Sequence, residues 1–291
     1  MNKKAIFDPA APSNIKTWLT AQTKAGFDRR AIFKALCASG WQPWQAGRMM
    51  LLTDEEKAAF GAVAATVAAA KFGTRTPRPR LVFNDVQVDG GDKWVRVLQH
   101  RTAPELIEFE GLLSDAECDA LMTDAEPRLS RSMTVDVQTG GQEVHADRSS
   151  QGMFFTRGET LLVSTIEARI AKLLEWPLEN GEGLQILRYP PGAQYVPHHD
   201  YFDPAQPGTA ELVKRGGQRV ATLIMYLHEP ISGGATVFPD IDVAIAPKRG
   251  NAVFFSYATP DASTLTLHGG APVTAGVKWI ATKWLRQSVF E

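Results

Sequence analysis

Tyr195-Val196-Pro197-His198-His199-Asp200-Tyr201-Phe202 is a short β-prone run in which a histidine and an aspartate stand two positions apart. On a strand, residues i and i+2 project to one side, so His198 and Asp200 are expected to reach a common point while His199 faces away. A second imidazole stands far downstream, in Thr264-Leu265-Thr266-Leu267-His268. That run is β-prone and stops at Gly269-Gly270, so a strand over 264–268 is expected to present His268 from its end across a barrel. Two imidazoles and one carboxylate can occupy one face of a divalent ion and leave the other open. Neutral nitrogen and hard oxygen donors suit Fe(II), Mn(II), Co(II) or Ni(II), and the open face favours redox catalysis over a closed structural zinc site.

Lys278 opens Lys278-Trp279-Ile280-Ala281-Thr282-Lys283-Trp284-Leu285. By alternation, Lys278, Ile280, Thr282 and Trp284 share one face of a strand, and Trp279, Ala281, Lys283 and Leu285 the other. If the first set faces a barrel interior, the ammonium needs an anion, because a buried unpaired charge is costly. A dicarboxylate cosubstrate supplies one.

Four ordered blocks carry a resemblance. They are Tyr189-Pro190-Pro191-Gly192-Ala193-Gln194 running into Tyr195 to Phe202, Gly216-Gly217-Gln218-Arg219-Val220-Ala221-Thr222 running to Leu227, Gly233-Gly234-Ala235-Thr236-Val237-Phe238-Pro239, and His268-Gly269-Gly270-Ala271-Pro272-Val273 with Lys278-Trp279. Over residues 184–284 the chain resembles iron(II)/2-oxoglutarate dioxygenases of the prolyl 4-hydroxylase type. The resemblance implies that His198, Asp200 and His268 bind Fe(II). It implies that Lys278, helped by Tyr189 and Thr236, holds the far carboxylate of the cosubstrate 2-oxoglutarate. It places Tyr195, Arg219, Trp284 and Arg148 toward substrate, with O2 as oxidant and ascorbate as an accessory reductant. The implied reaction couples decarboxylation of 2-oxoglutarate, to succinate and carbon dioxide, with hydroxylation of a peptide or protein, at proline first. A free amino acid or another peptidyl residue stays open, as does a non-catalytic module that senses 2-oxoglutarate or oxygen. Retention of the Asp200 carboxylate favours hydroxylation over halogenation.

Each pocket-wall assignment has a plainer competitor. Tyr189 and Tyr195 flank a Pro-Pro-Gly turn and can pack with hydroxyls at the surface. Thr236 can be an ordinary strand residue, Arg219 a salt-bridged arginine and Trp284 a core residue. A second histidine-x-aspartate, His145-Ala146-Asp147, sits in a polar, turn-rich segment without strand alternation and reads as a loop. Arg148 and the residues after it resemble the family's mobile segment that closes over peptide. His100 and His228 read as structural.

The 291 residues are 44% apolar and 22% charged, enough for a large core. A formal net charge of -1 leaves no basic footprint for nucleic acid. No run of about 18 apolar residues suggests a membrane span, and the start lacks a continuous apolar signal segment. Two cysteines, Cys37 and Cys118, do not make a disulfide scaffold. A cytoplasmic enzyme is expected.

The chain is expected to divide into a helical domain over 1–73 of unreadable role, a Pro-rich linker over 74–80 and a catalytic domain over 81–291 with its core at 184–286. Four helices are expected over 13–27, 28–39, 43–52 and 53–72, with Trp18, Leu19, Phe27, Ile32, Phe33, Leu36, Trp41 and Trp44 as a shared core. Ser114-Asp115-Ala116-Glu117 opens a helix by a capping-box pattern, and 161–174 reads as another. Strands are expected over 81–83, 94–98, 106–109, 184–189, 220–227, 235–238, 243–245, 252–257, 264–268 and 278–285. Many short strands with Gly/Pro turns point to an α+β fold: a double-stranded β-helix, or jelly roll, with the two helices packed outside.

Overall fold

The computed structural model describes residues 86–131 and 149–291 continuously, together with 15–24, 26–29, 31–33, 50–51, 53, 56, 76–77, 134–135 and 142–143. The chain divides into two compact units, Met1–Thr74 and Arg75–Glu291. In the first, helix α1 spans Ile15–Lys24. Asp28 Oδ1 accepts the Ala31 N–H at 2.7 Å, and Thr53 and Glu56 exchange reciprocal capping bonds. Ile32 and Phe33 are buried, whereas Phe27 is 44% exposed in the turn after α1, not in the core expected for it. Of the expected linker only 76–77 are described, and the strand over 81–83, Cys37 and the side chains of Trp18, Leu36, Trp41 and Trp44 lie outside the described residues.

The second unit carries the strands β1 (Gln87–Asp89), β2 (Trp94–Thr102), β3 (Glu105–Glu110), β4 (Ser130–Arg131), β5 (Thr134–Val135), β6 (Gln142–Glu143), β7 (Gln151–Phe155), β8 (Leu184–Tyr189), β9 (Tyr195–His198), β10 (Arg219–His228), β11 (Ser232–Gly233), β12 (Thr236–Phe238), β13 (Val243–Ile245), β14 (Ala252–Ser256), β15 (His268–Gly270), β16 (Val273–Ala275) and β17 (Lys278–Arg286). A nine-stranded sheet has the order β1-β2-β3-β14-β10-β17-β8-β7-β4, and a four-stranded sheet the order β13-β12-β15-β9. The two sheets form the jelly roll, and their described strands pair antiparallel.

Helices α2 (Asp115–Ala125) and α3 (Leu161–Leu173) cover the outer face of the large sheet. Ser114 accepts from Glu117 N and Glu117 accepts from Ser114 N, the capping box expected from the sequence. Thr160 caps α3 through Val163 N. Leu121, Ile166, Ile170 and Leu173 from the helices meet Ile186, Leu223, Met225, Phe254 and Ala281 from the sheet in one apolar layer. A second layer, with Leu187, Ile224, Tyr226, Phe238, Phe255 and Ile280, lies between the sheets. Each buried Leu, Ile, Met or Phe among them stabilises the fold by about 1.5–3 kcal/mol, so the large sheet is held from both faces. Both faces of β17 are therefore buried. Among the described residues no helix is long and apolar enough to cross a membrane.

Two expected strand features are corrected. Residues 264–268 are not a strand: Ala262–Thr264 form a single 3-10 turn, capped by Asp261 accepting from Ser263 N, and Leu265 takes a left-handed φ of 55°. Local capping overrides β propensity there, and His268 begins β15 instead of ending a strand. Gly269 and Gly270 are strand residues, not a break. Further upstream, β9 ends at His198, so Asp200 lies beyond the strand that was expected to align it. The polar stretch around Gly140 also contains a short strand, β6, paired with β5.

Candidate active site

His198 and His268 are direct cross-strand partners on β9 and β15. The second imidazole thus comes from the neighbouring strand and not from across the barrel, because antiparallel pairing sets the two residues opposite one another. Their ring centroids are 4.5 Å apart. Pro197 is tolerated because β9 is an edge strand, where its missing N–H breaks no ladder. Between His268 and Gly270 the register slips, a bulge that brings Gly270 opposite Tyr195.

Each imidazole is oriented by its own backbone. His198 Nδ1 lies 2.9 Å from Val196 O and His268 Nδ1 lies 3.0 Å from Thr266 O. A carbonyl only accepts, so both Nδ1 atoms carry a proton, and each Nε2 is the nitrogen turned toward the shared point. The Nε2 atoms face one carboxylate: His198 to Asp200 Oδ1 is 3.6 Å and His268 to Asp200 Oδ2 is 3.4 Å. Ligand atoms of the three residues lie within 4.8 Å of one another. Burial pushes the His198 imidazole below its ordinary value. Burial alone would raise the Asp200 carboxyl, but the neighbouring imidazoles hold it well below the carboxylate range. Neutral histidine and ionised aspartate are the forms a metal ion requires, so the donor set fits a divalent cation.

The same cavity contains Lys278, Tyr189 and Thr236. Lys278 is 3% exposed. Its Nζ lies 5.6 and 5.7 Å from the ring centroids of Tyr189 and Tyr226, and among the described residues no carboxylate pairs with it. Burial lowers its pKa to about 8. Tyr189 is its cross-strand partner on β8, and Thr236 Oγ1 accepts the Tyr226 hydroxyl at 2.8 Å. Lys278, Ile280, Thr282 and Trp284 all line the cavity, as alternation requires. On the other face Lys283 is paired with Glu167 of α3.

Tyr195 and Trp284 also line the cavity. The Tyr195 ring stacks on His198 at 3.8 Å. Arg219 is committed elsewhere: Nε and Nη2 donate to the two oxygens of Glu182 at 2.7 and 2.9 Å, and the guanidinium lies 4.0 Å from the centroid of the Trp284 ring. Arg148, His145 and Asp147 lie outside the described residues. His100 pairs with Glu105 and His228 Nδ1 lies 2.8 Å from Val277 O, both structural contacts. His199 stacks on Tyr201 and is not a member of the ligand group.

Sequence reasoning missed Thr222, Tyr226, Tyr257 and Glu182. Thr222 Oγ1 donates to Asp200 Oδ2 at 2.7 Å and lies 3.0 Å from the Tyr257 hydroxyl. Glu182 bridges Arg219 and Arg286. A signal existed for two of these: Thr222 and Tyr226 share a face of the otherwise apolar Val220 to Leu227 run, and polar residues on a buried strand face need partners. Nothing in the sequence named those partners.

The sequence profile described as the 2OG-Fe(II) oxygenase superfamily matches residues 184–286. Probable prolyl 4-hydroxylase 8 of Arabidopsis thaliana is 38% identical over 232 residues, covering 72% of this chain and 77% of that protein. Prolyl 4-hydroxylase 1 of the same plant is 43% identical over 202 residues, covering 64% and 70%. The viral collagen prolyl hydroxylase of Paramecium bursaria Chlorella virus 1, solved as its 2OG complex, is 32% identical, with 62% of this chain and 95% of that one covered and a TM-score of 0.49.

Proposed function

Because the chain belongs to the 2OG-Fe(II) oxygenase superfamily, and is a dioxygenase that uses Fe(II), 2-oxoglutarate and O2, we propose that it hydroxylates prolyl residues of a peptide or protein. The observation that carries this reading is one cavity holding His198, Asp200 and His268 together with the buried ammonium of Lys278, which has no carboxylate partner among the described residues. The likeness to plant prolyl 4-hydroxylases supports the choice of proline.

His198, Asp200 and His268 are the residues that would hold the iron. Bound there, Fe(II) supplies the oxidative chemistry that couples decarboxylation of 2-oxoglutarate to hydroxylation of an unactivated carbon. Lys278 pairs with the far carboxylate, with Thr236 and Tyr189 beside it. Leu187, Ile224 and Ile280 line the intervening wall with hydrocarbon and strengthen that charge pair by lowering the local dielectric. Tyr195 and Trp284 offer aromatic faces suited to a saturated, apolar pyrrolidine ring. Arg219, paired with Glu182, braces Trp284 in the substrate-facing wall.

The test is reconstitution with Fe(II), 2-oxoglutarate, air and proline-containing peptides, followed by succinate release and peptide mass. Proline gaining one oxygen is expected. No succinate with any peptide overturns the reading; hydroxylation confined to free amino acids or to another residue type overturns the substrate. His198→Ala, Asp200→Ala and His268→Ala each lose metal and turnover.

A further inference from the structure

Two tyrosine–threonine hydroxyl pairs stand behind the site, one bonded to Asp200 and the other ending on Thr236 of the cavity wall, and Thr222, Tyr226 and Tyr257 have no role in the reading above. Both involve β10, whose cavity face carries Thr222, Ile224 and Tyr226. At the metal end, Thr222 donates to Asp200 Oδ2. An ionised carboxylate accepts only, and a threonine hydroxyl has one proton, so Thr222 Oγ1 must receive its second bond from Tyr257. Tyr257 is fitted to donate: it is 2% exposed, and burial, followed by the Asp200 charge, pushes its hydroxyl well above its ordinary value, keeping it protonated. The order of donation is therefore Tyr257 to Thr222 to Asp200. At the other end Tyr226 donates to Thr236. That bond occupies a lone pair of Thr236 and leaves its own proton without an acceptor among the described residues, in the cavity wall shared with Lys278.

We propose that these are two positioning relays. Tyr257 and Thr222 hold the Asp200 carboxylate in the plane from which it meets the metal, and Tyr226 turns the free proton of Thr236 toward the distal carboxylate of 2-oxoglutarate. The inference rests on the reading of the site as a ferrous and 2-oxoglutarate centre. Its physical content is preorganisation: a side-chain ligand whose rotamer is fixed before binding loses less freedom on binding, and hydrogen-bond partners of metal-ligating groups commonly govern affinity by about 10- to 100-fold.

Because each relay serves a different ligand, the two are separable. Mn(II) binding to the metal-free full chain, followed by the resonance of free Mn(II), reads the first; calorimetric titration of 2-oxoglutarate into the Mn(II)-saturated protein reads the second. Thr222→Val is expected to weaken Mn(II) about 10- to 100-fold, with Thr222→Ser restoring it and Tyr257→Phe falling between. Tyr226→Phe is expected to leave Mn(II) affinity within twofold of wild type, and to weaken 2-oxoglutarate on the order of three- to tenfold. Mn(II) affinity of Thr222→Val within twofold of wild type overturns the first relay, and unchanged 2-oxoglutarate affinity in Tyr226→Phe overturns the second. Equal loss of both ligands in both variants points to general disruption and overturns both. A wild-type protein that binds no Mn(II) overturns instead the reading of the metal centre beneath them.

Discussion

Lys278 concentrates the chemistry of the site in one side chain. An ammonium that is 3% exposed with no carboxylate partner among the described residues costs the ligand-free fold free energy. Its pKa is lowered from the ordinary 10.5 to about 8, with burial as the cause. The folded state thus binds the proton less tightly than the unfolded chain. The penalty is complete below about pH 8 and fades as pH rises toward 10.5. Lys278→Met is accordingly expected to raise the unfolding free energy of the ligand-free protein at pH 7 by on the order of 2–3 kcal/mol, a gain that denaturant titration should find gone near pH 11. The same variant should retain iron and require on the order of 100-fold more 2-oxoglutarate, because a buried charge pair to the cosubstrate is lost. In the wild type, the apparent affinity for 2-oxoglutarate should fall as pH rises above about 8, where the free ammonium deprotonates. A flat profile through that range would sink the assignment of Lys278 as the carboxylate anchor.

At the scale of elements, the site depends on how closely β9 and β15 pair. Gly269 lies against the backbone of β9, and a Cβ built there would sit 2.9 Å from Tyr195 O and 3.0 Å from Pro197 N. Backbone atoms of a paired strand cannot yield independently, so the strands must separate and carry His198 away from His268. At Gly270 the nearest atoms to such a Cβ are 3.7 and 3.9 Å away, an ordinary contact. Gly269→Ala is therefore expected to weaken metal binding by about tenfold or more, while Gly270→Ala leaves it within twofold; metal titration of the two variants checks the contrast. Alternation on β17 was legible from its letters, because a strand must send successive side chains to opposite faces. That both faces are buried was not, since the sequence does not announce that α3 supplies Glu167 to neutralise Lys283 on the outer side.

For the whole molecule, Glu182 ties the active-site wall to the end of β17. It accepts from Arg219, which stacks on Trp284, and from Arg286 at 2.9 Å. Burial by itself would raise the Glu182 carboxyl, but the two guanidinium groups outweigh it and hold it below its ordinary 4.5. A depressed carboxylate contributes stability that is fully present above about pH 4.5 and disappears as pH falls through the lower folded value. Glu182→Gln leaves two buried cations without their counter-charge and is expected to lose roughly 3 kcal/mol at pH 7, measured by chemical denaturation. The difference from wild type should shrink as the pH falls below 4.5 and through the lower value at which the folded wild-type side chain protonates and comes to resemble the amide. Peptide turnover should decline along with stability, since Trp284 loses the cation held over its ring.

The letters alone determined the ligand types, the spacing of His198 and Asp200, the shared face of Lys278, Ile280, Thr282 and Trp284, and the jelly-roll class, because periodicity and side-chain chemistry are local properties. They also suggested a strand over 264–268, where a capped turn stands, since β propensity cannot sense the Asp261 side chain closing on its own backbone. Tertiary structure alone decided that His268 sits opposite His198, that Thr222 and Tyr257 orient Asp200, that Arg219 belongs to Glu182, and that Lys278 has no carboxylate partner among the described residues. Those are pairings between groups far apart in the chain. No single position encodes them, because each depends on where strand register and packing bring a second residue.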